Sequence, residues 1–248
     1  MEKYELIEGG VIYHFDTGPF NWYIIAQQGR LTVVDAGFPG HYRTFLQGIQ
    51  LLNYQVKDVA AILLTHAHAD HMGFAERLRR EANAPVFVHV GDQASAQRAR
   101  QLPWYGLLSN CWRPFVTGVL THAMLNGVFT MRPITKVYTF KDNDTLDVPG
   151  HPHAIHVPGH TQGEVAFHIQ TSKVLLSGDT LVTRNLLTGT MGAPQLTSPV
   201  LNYNYDMARR SLERIAELGE VTMLPGHGKA WHGSMSDAVA MARQNGHN

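Results

Sequence analysis

The chain has 248 residues, with 20 Lys plus Arg against 20 Asp plus Glu, 15 His and one Cys. A balanced charge with only 16% charged residues offers no basic footprint for nucleic acid and no acidic disordered tail, which argues against a polyanion partner. With 44% hydrophobic residues the chain can bury a full core, and its length fits one α/β domain spanning 1–248.

The start, Met1 to Glu8, mixes both charge signs and has no apolar targeting segment. No later apolar run approaches the ~20 residues of a membrane span, so a soluble, cytoplasmic protein is expected. Val11–Phe15, Trp22–Ala26 and Leu31–Val34 are rich in β-branched and aromatic residues and separated by turn signals, which predicts an antiparallel meander. Phe45, Ile49 and Leu52 then form one apolar stripe of a helix after the Pro39-Gly40 breaker.

A buried strand over Val59–Leu64 runs into Thr65-His-Ala-His-Ala-Asp-His71. Phe74 and Leu78 open another helix, Pro85–His89 is a short strand and Asp92–Arg100 a weaker helix. From Pro103 to Pro133 the sequence is dense in aromatic, Leu and Met residues without strand alternation, which predicts an inserted helical element. It would serve as a lid, a core element or a dimer seam, and Trp112 and Phe115 are the residues expected to touch an acyl substrate if it is a lid. Within it, Cys111 is read as a buried packing residue; a lone cysteine has no internal disulfide partner and fits a reducing compartment. Strands are expected again at Val137–Phe140, His153–Val157, Glu164–Ile169 and Lys173–Leu176. Late helices are marked by Ala208, Leu212 and Ile215, and by the Ser234/Asp237 capping box.

The chemistry concentrates in His66, His68, Asp70 and His71, an H-x-H-x-D-H pattern. His66 and His68 leave a strand with side chains on one side, because the strand period is two, while Asp70 and His71 come as the chain turns into a helix. The first pair can grip one ion and the second pair another. Val157-Pro-Gly-His160 and Leu224-Pro-Gly-His227 each end an apolar strand with a presented imidazole, and Leu175-Leu-Ser-Gly-Asp179 does so with a carboxylate. Seven candidate ligands result. Imidazole and carboxylate suit zinc and neighbouring first-row ions. By contrast, His14, His41, His89, His122, His168, His232 and His247 read as ordinary core or surface residues, and His151, His153 and His156 lack a carboxylate at ligand spacing.

These residues, together with Val34-Asp-Ala-Gly37, resemble the metallo-β-lactamase superfamily over almost the whole chain. The resemblance implies an αββα four-layer sandwich with the site at one edge of its sheets. It implies that His66, His68 and His160 bind a first metal, that Asp70, His71 and His227 bind a second, and that Asp179 bridges them, with Asp35 as a nearby support. Two divalent ions are expected, zinc first, with iron or manganese as alternatives. After the charges of Asp70, Asp179 and a hydroxide the centre would keep one positive charge, enough to attract a carbonyl or phosphoryl oxygen.

The expected reaction is hydrolysis of a carboxylic ester, lactone or thioester with an apolar portion by a metal-bridging hydroxide, with Asp70 passing a proton to the leaving group. True β-lactamases carry Cys, Ser or His where Asp179 stands. Lactonases of the family usually have Tyr at the position of Val182, so Tyr105, Tyr203 or Tyr205 would have to reach the site instead. The alternatives are a phosphodiesterase on the same dinuclear site and an oxidoreductase resembling the mononuclear iron persulfide dioxygenases. A homodimer is the one macromolecular assembly the insertion suggests.

Overall fold

In a computed structural model, residues 1–5, 9–98 and 103–245 are described. The chain opens with four antiparallel strands, β1 (Glu2–Glu5), β2 (Val11–Asp16), β3 (Asn21–Gln27) and β4 (Arg30–Val34). Gln28 and Gly29 close the β3–β4 hairpin with φ of 50° and 74°. Positive φ at both turn residues matches the right-handed twist of the flanking strands. Pro39 then stops the extended chain and α1 (Tyr42–Leu51) follows, burying Phe45 and Ile49 as the stripe requires.

Three parallel strands extend the sheet: β5 (Val59–Leu63), β6 (Val86–His89) and β7 (Tyr138–Phe140). Between β5 and β6 lie α2 (Ala69–Met72) and α3 (Ala75–Ala82), which ends at Asn83 in the left-handed conformation. Between β6 and β7 lie α4 (Gln93–Ala96) and the expected helical insertion, α5 (Trp104–Leu108) and α6 (Pro114–Leu125). Residues 99 and 100 of the expected Asp92–Arg100 helix lie outside the described residues, as does His247.

The second half supplies β8 (His153–His156), β9 (Val165–Ile169) and β10 (Val174–Gly178), then a small hairpin of β11 (Val182–Arg184) and β12 (Met191–Gln195). After α7 (Tyr205–Ser211) and α8 (Glu213–Ala216) come β13 (Glu220–Pro225), β14 (Trp231–Ser234) and α9 (Met235–Asn245). The first sheet is ordered β1 to β7 and the second β14-β13-β10-β9-β8.

Three apolar layers give the αββα sandwich. Along β3, Trp22, Ile24 and Ala26 face the helices α1, α3 and α6, whereas Tyr23 and Ile25 face the other sheet. Along β10, Val174 and Leu176 point between the sheets and Leu175 toward α7–α9. The period of two therefore feeds two cores from one strand. Hidden elements include β12, whose Met-Gly-Ala-Pro-Gln sequence has little strand propensity and pairs only through the hairpin with β11. Cys111 departs from expectation: it is exposed, in the turn between α5 and α6, and packs no core. Among the described residues no helix is long and apolar enough to cross a membrane.

Candidate metal centre

The seven residues singled out by spacing come from five segments that converge at one end of the two sheets. Past the end of β5, Thr65 leads into His66 and His68, and α2 carries Asp70 and His71. The loops after β8, β10 and β13 carry His160, Asp179 and His227. His66 Nε2 lies 3.1 Å from His68 Nδ1, which lies 3.0 Å from His160 Nε2. Asp179 Oδ2 is 3.3 Å from His160 Nε2 and 3.0 Å from His227 Nε2. Asp70 Oδ2 is 3.6 Å from both His71 Nε2 and His227 Nε2, and His71 Nε2 is 3.6 Å from Asp179 Oδ1. Asp179 thus touches both halves of the cluster.

The residues fit a metal ion on three grounds. Ligands at about 2.0–2.1 Å on a tetrahedron stand roughly 3.3 Å apart, which is the range of the separations above. His71 Nε2 and Asp179 Oδ1 are buried and face each other without a hydrogen-bond partner, an arrangement that costs free energy unless something binds both. The far ring nitrogens are occupied: His71 Nδ1–H donates to Asp35 Oδ2 at 2.8 Å, His227 Nδ1–H to Pro19 O at 2.7 Å and His160 Nδ1–H to Thr197 Oγ1 at 3.2 Å. Those partners leave each Nε2 lone pair turned inward.

Electrostatics divide the cluster. Burial and the neighbouring imidazole of His160 push His68 down to about 3. Burial outweighs the Asp179 charge at His160, which falls to about 4, and His66 is also held well below the ordinary range by burial and the surrounding histidines. At His71 burial is overcome by the Asp35, Asp70 and Asp179 charges, so this imidazole rises well above its usual value. His227 rises too, because Asp179 outweighs its burial. Burial opposes ionisation of Asp179, but His227 and His71 hold its carboxyl far below the usual range.

Two acids that spacing did not flag support the centre. Asp92 accepts from Ala67 N at 2.9 Å, Thr161 Oγ1 at 2.8 Å and Gly163 N at 2.9 Å, so it ties the His66–His68 loop to the His160 loop. Glu164 is wholly buried, accepts from Asp179 N at 2.9 Å and lies 3.2 Å from His66 Nδ1. Burial, then the Asp179 charge, pushes its carboxyl well above the ordinary range. Asp35, expected as a support, also accepts from Thr65 N and Thr65 Oγ1 at 2.9 and 2.8 Å.

His68, Asp70, His160 and Asp179 line a narrow chamber of about 30 Å³ whose other walls are apolar, among them Phe20, Phe38, Leu107, Val119, Leu120 and Leu201. Helices α5 and α6 of the insertion therefore wall the site. Trp112 is 72% exposed, and Phe115 packs by Gly189; neither lines the chamber. On its other side His68 and His160 open onto a cleft of about 670 Å³ that includes Arg98, Tyr105, Gln162 and Tyr203. Val182 is buried in β11; of the three tyrosines expected in its stead, Tyr105 and Tyr203 line this cleft together with His68 and His160, whereas Tyr205 packs against the core under α7–α9.

Several other histidines take ordinary partners. His156 stacks on His89 at 3.9 Å and lies 2.9 Å from Gln162 O, and His153 pairs with Thr145 Oγ1 at 3.1 Å. His41 and His122 meet Nε2 to Nε2 at 2.9 Å, tying α6 to the start of α1.

The family model of the metallo-beta-lactamase superfamily matches residues 16–227, a span that contains all seven residues of the cluster. The chain belongs to the metallo-beta-lactamase superfamily. An uncharacterised Mycobacterium leprae protein is 32% identical over 174 residues, covering 69% of this chain and 70% of its own length. The Bacillus subtilis protein described as "Probable metallo-hydrolase YqgX" is 26% identical over 220 residues, covering 84% of each. Among solved structures, the Thermus thermophilus metallo-beta-lactamase family protein TTHA1429 superposes with a TM-score of 0.67 at 24% identity, covering 93% of this chain and 77% of that one. The Rm3 metallo-beta-lactamase gives the same TM-score at 17% identity, covering 94% and 88%. These superpositions establish the superfamily fold.

Proposed function

We propose that this protein is a dinuclear metal-dependent hydrolase of a carboxylic ester, lactone or thioester carrying an apolar group. The supporting observation is the placement of the donor cluster at the end of a chamber walled by apolar side chains of α5 and α6. His66, His68 and His160 would hold one ion, Asp70, His71 and His227 the other, and Asp179 would bridge them. Bound there, a pair of zinc ions would supply Lewis acidity and lower the pKa of a water from ~15.7 to about 7.

The chain's own groups do the rest. At about 30 Å³ the chamber holds no more than a water-sized group; its apolar walls keep bulk water from the reacting carbonyl, and α5 and α6 would part to take the apolar portion of the substrate. Its polar remainder lies in the open cleft beside Tyr105 and Tyr203. Asp70 has the most accessible carboxylate of the centre, at 9% side-chain exposure, and lines the chamber, so it can hold a proton and hand it to the departing oxygen or sulfur.

Charge favours an uncharged carbonyl over a phosphodiester. Counting only Asp70, Asp179 and a hydroxide leaves one positive charge, but Asp35 is also buried against the cluster. Three carboxylates and the hydroxide then balance two divalent ions, and the centre has no surplus positive charge for an anionic group.

The test is a panel of lactone, thioester, carboxylic ester, phosphodiester and β-lactam substrates, run on protein whose zinc, iron and manganese are measured. Turnover of an acyl substrate with two ions per chain is the expected result. Preferred phosphodiester cleavage, or a single iron with oxygen consumption, overturns this reading.

A further inference from the structure

Glu164 presents a problem that packing alone does not solve. It is wholly buried, and among the described residues no lysine or arginine pairs with it. An acid in that position is costly unless a cationic or strongly polarised donor faces it. Its two oxygens divide their work. Oε1 accepts from the backbone N–H of Asp179 at 2.9 Å. Oε2 has no hydrogen-bond partner and lies 3.2 Å from Nδ1 of His66. The other acceptor near that nitrogen, Thr65 Oγ1 at 3.1 Å, already directs its hydrogen to Asp35 Oδ2.

The surroundings are shaped to admit this carboxylate. Gly178 has φ of 52°, and a Cβ there would stand 2.6 Å from Glu164 Oε1 and 2.7 Å from Thr65 Cβ. The next residue, Val165, donates its N–H to Thr65 O at 2.9 Å, which ties the start of β9 to the residue preceding His66. Glu164 is therefore held against both the His66 loop and the Asp179 loop, which belong to different sheets.

We propose that Glu164 is a positioning residue of the metal centre: it fixes the His66 imidazole with Nε2 turned into the cluster and holds the Asp179 backbone, so that one acid aligns donors of both metal subsites. Asp35 touches one donor directly, His71 Nδ1, and reaches His66 through Thr65 Oγ1. A glutamine at 164 keeps an oxygen for the Asp179 N–H but turns its NH₂ toward His66 Nδ1, so that it opposes the ring orientation that Glu164 enforces.

The inference rests on the metal-centre reading, and the experiment separates the two. Zinc binding to full-length wild type, Glu164→Gln and Asp35→Asn is titrated against a chromophoric chelator, with cobalt(II) absorption spectra of each loaded protein and the melting temperature of each metal-free protein. Glu164→Gln should bind zinc about 10- to 100-fold more weakly at the His66 subsite, with a shifted cobalt spectrum and a metal-free melting temperature like that of wild type. Unchanged zinc affinities in Glu164→Gln overturn the proposal, as does a loss of affinity matched by a loss of metal-free stability. If metal-free Glu164→Gln does not fold, protein refolded with zinc is challenged with EDTA; release no faster than from wild type is equally fatal. Wild type that takes up no zinc, cobalt, iron or manganese refutes the metal centre itself.

Discussion

His66, His71, His160 and His227 are each aimed by what the ring's other nitrogen touches, and the charges around the cluster set how the site responds to acid. His68 and His160, at about 3 and about 4, are neutral and ready to bind across the neutral pH range. His71 and His227 are pulled upward by carboxylates, so an ion entering their subsite displaces protons. Lower pH therefore opposes that subsite first: as pH falls, the ion held by Asp70, His71 and His227 should be released before its neighbour, as two-step metal analysis after dialysis would show. Asp70→Asn should leave the melting temperature near wild type and lower turnover by ~10²–10⁴ if this carboxyl moves the proton; near-normal turnover with both ions bound removes that role. Asp179→Ala takes away the carboxylate that touches both halves and should retain at most one ion per chain by elemental analysis.

Strand ends and the insertion decide what the site can accept. Pro225 ends β13, and Gly226 passes so close that a Cβ there would lie 2.3 Å from Asp179 Oδ1 and 2.8 Å from His71 Cε1. The Pro-Gly-His pattern was readable as a strand stop that presents an imidazole, but its glycine also keeps backbone clear of two other donors. Gly226→Ala should reduce metal content while the circular dichroism spectrum is kept. The insertion was legible as helical because its apolar residues lack strand alternation. Which of them face the site was not, since α6 buries Val116, Val119 and Ala123 and exposes Leu125 with similar composition on both faces. The chamber, not hydrophobicity, marks out Val119, Leu120 and Ala123 of α6. Leu120→Trp should lower kcat/KM for long-chain acyl esters at least tenfold more than for acetyl esters. An equal loss on both assigns α6 to packing alone.

At the scale of the molecule, one buried acid outside the cluster joins the insertion's exit to α3. Glu76 receives bonds from Arg79, Arg80 and Thr135; burial works against its ionisation, yet these partners hold it at about 2, below its ordinary 4.5. A depressed carboxylate contributes stability that is present above its unfolded value and lost as pH falls toward the folded one. Wild type should therefore lose about 1–3 kcal/mol between pH 4.5 and pH 2 from this residue, discounted for the exposed Arg80. Urea unfolding of Glu76→Gln should show a lower stability at pH 7 and a flatter slope across that window; parallel curves for the two proteins would show that Glu76 carries no such linkage.

The amino-acid sequence by itself determined the donor chemistry and the layers. Four donors within six residues, three strand-stopping ends and apolar alternation along β3 and β10 are local patterns, and a local pattern survives without coordinates. Only the tertiary structure decided that Asp92 and Glu164 brace the centre, that α5 and α6 wall its chamber and that Cys111 faces solvent. Asp92 bonds Ala67 and Gly163, 25 and 71 residues away, and Glu164 reaches Asp179 from an adjacent strand's start. A side chain whose role is set by distant backbone groups has no signature in its own neighbourhood, because the free energy that fixes it arises only when those loops meet.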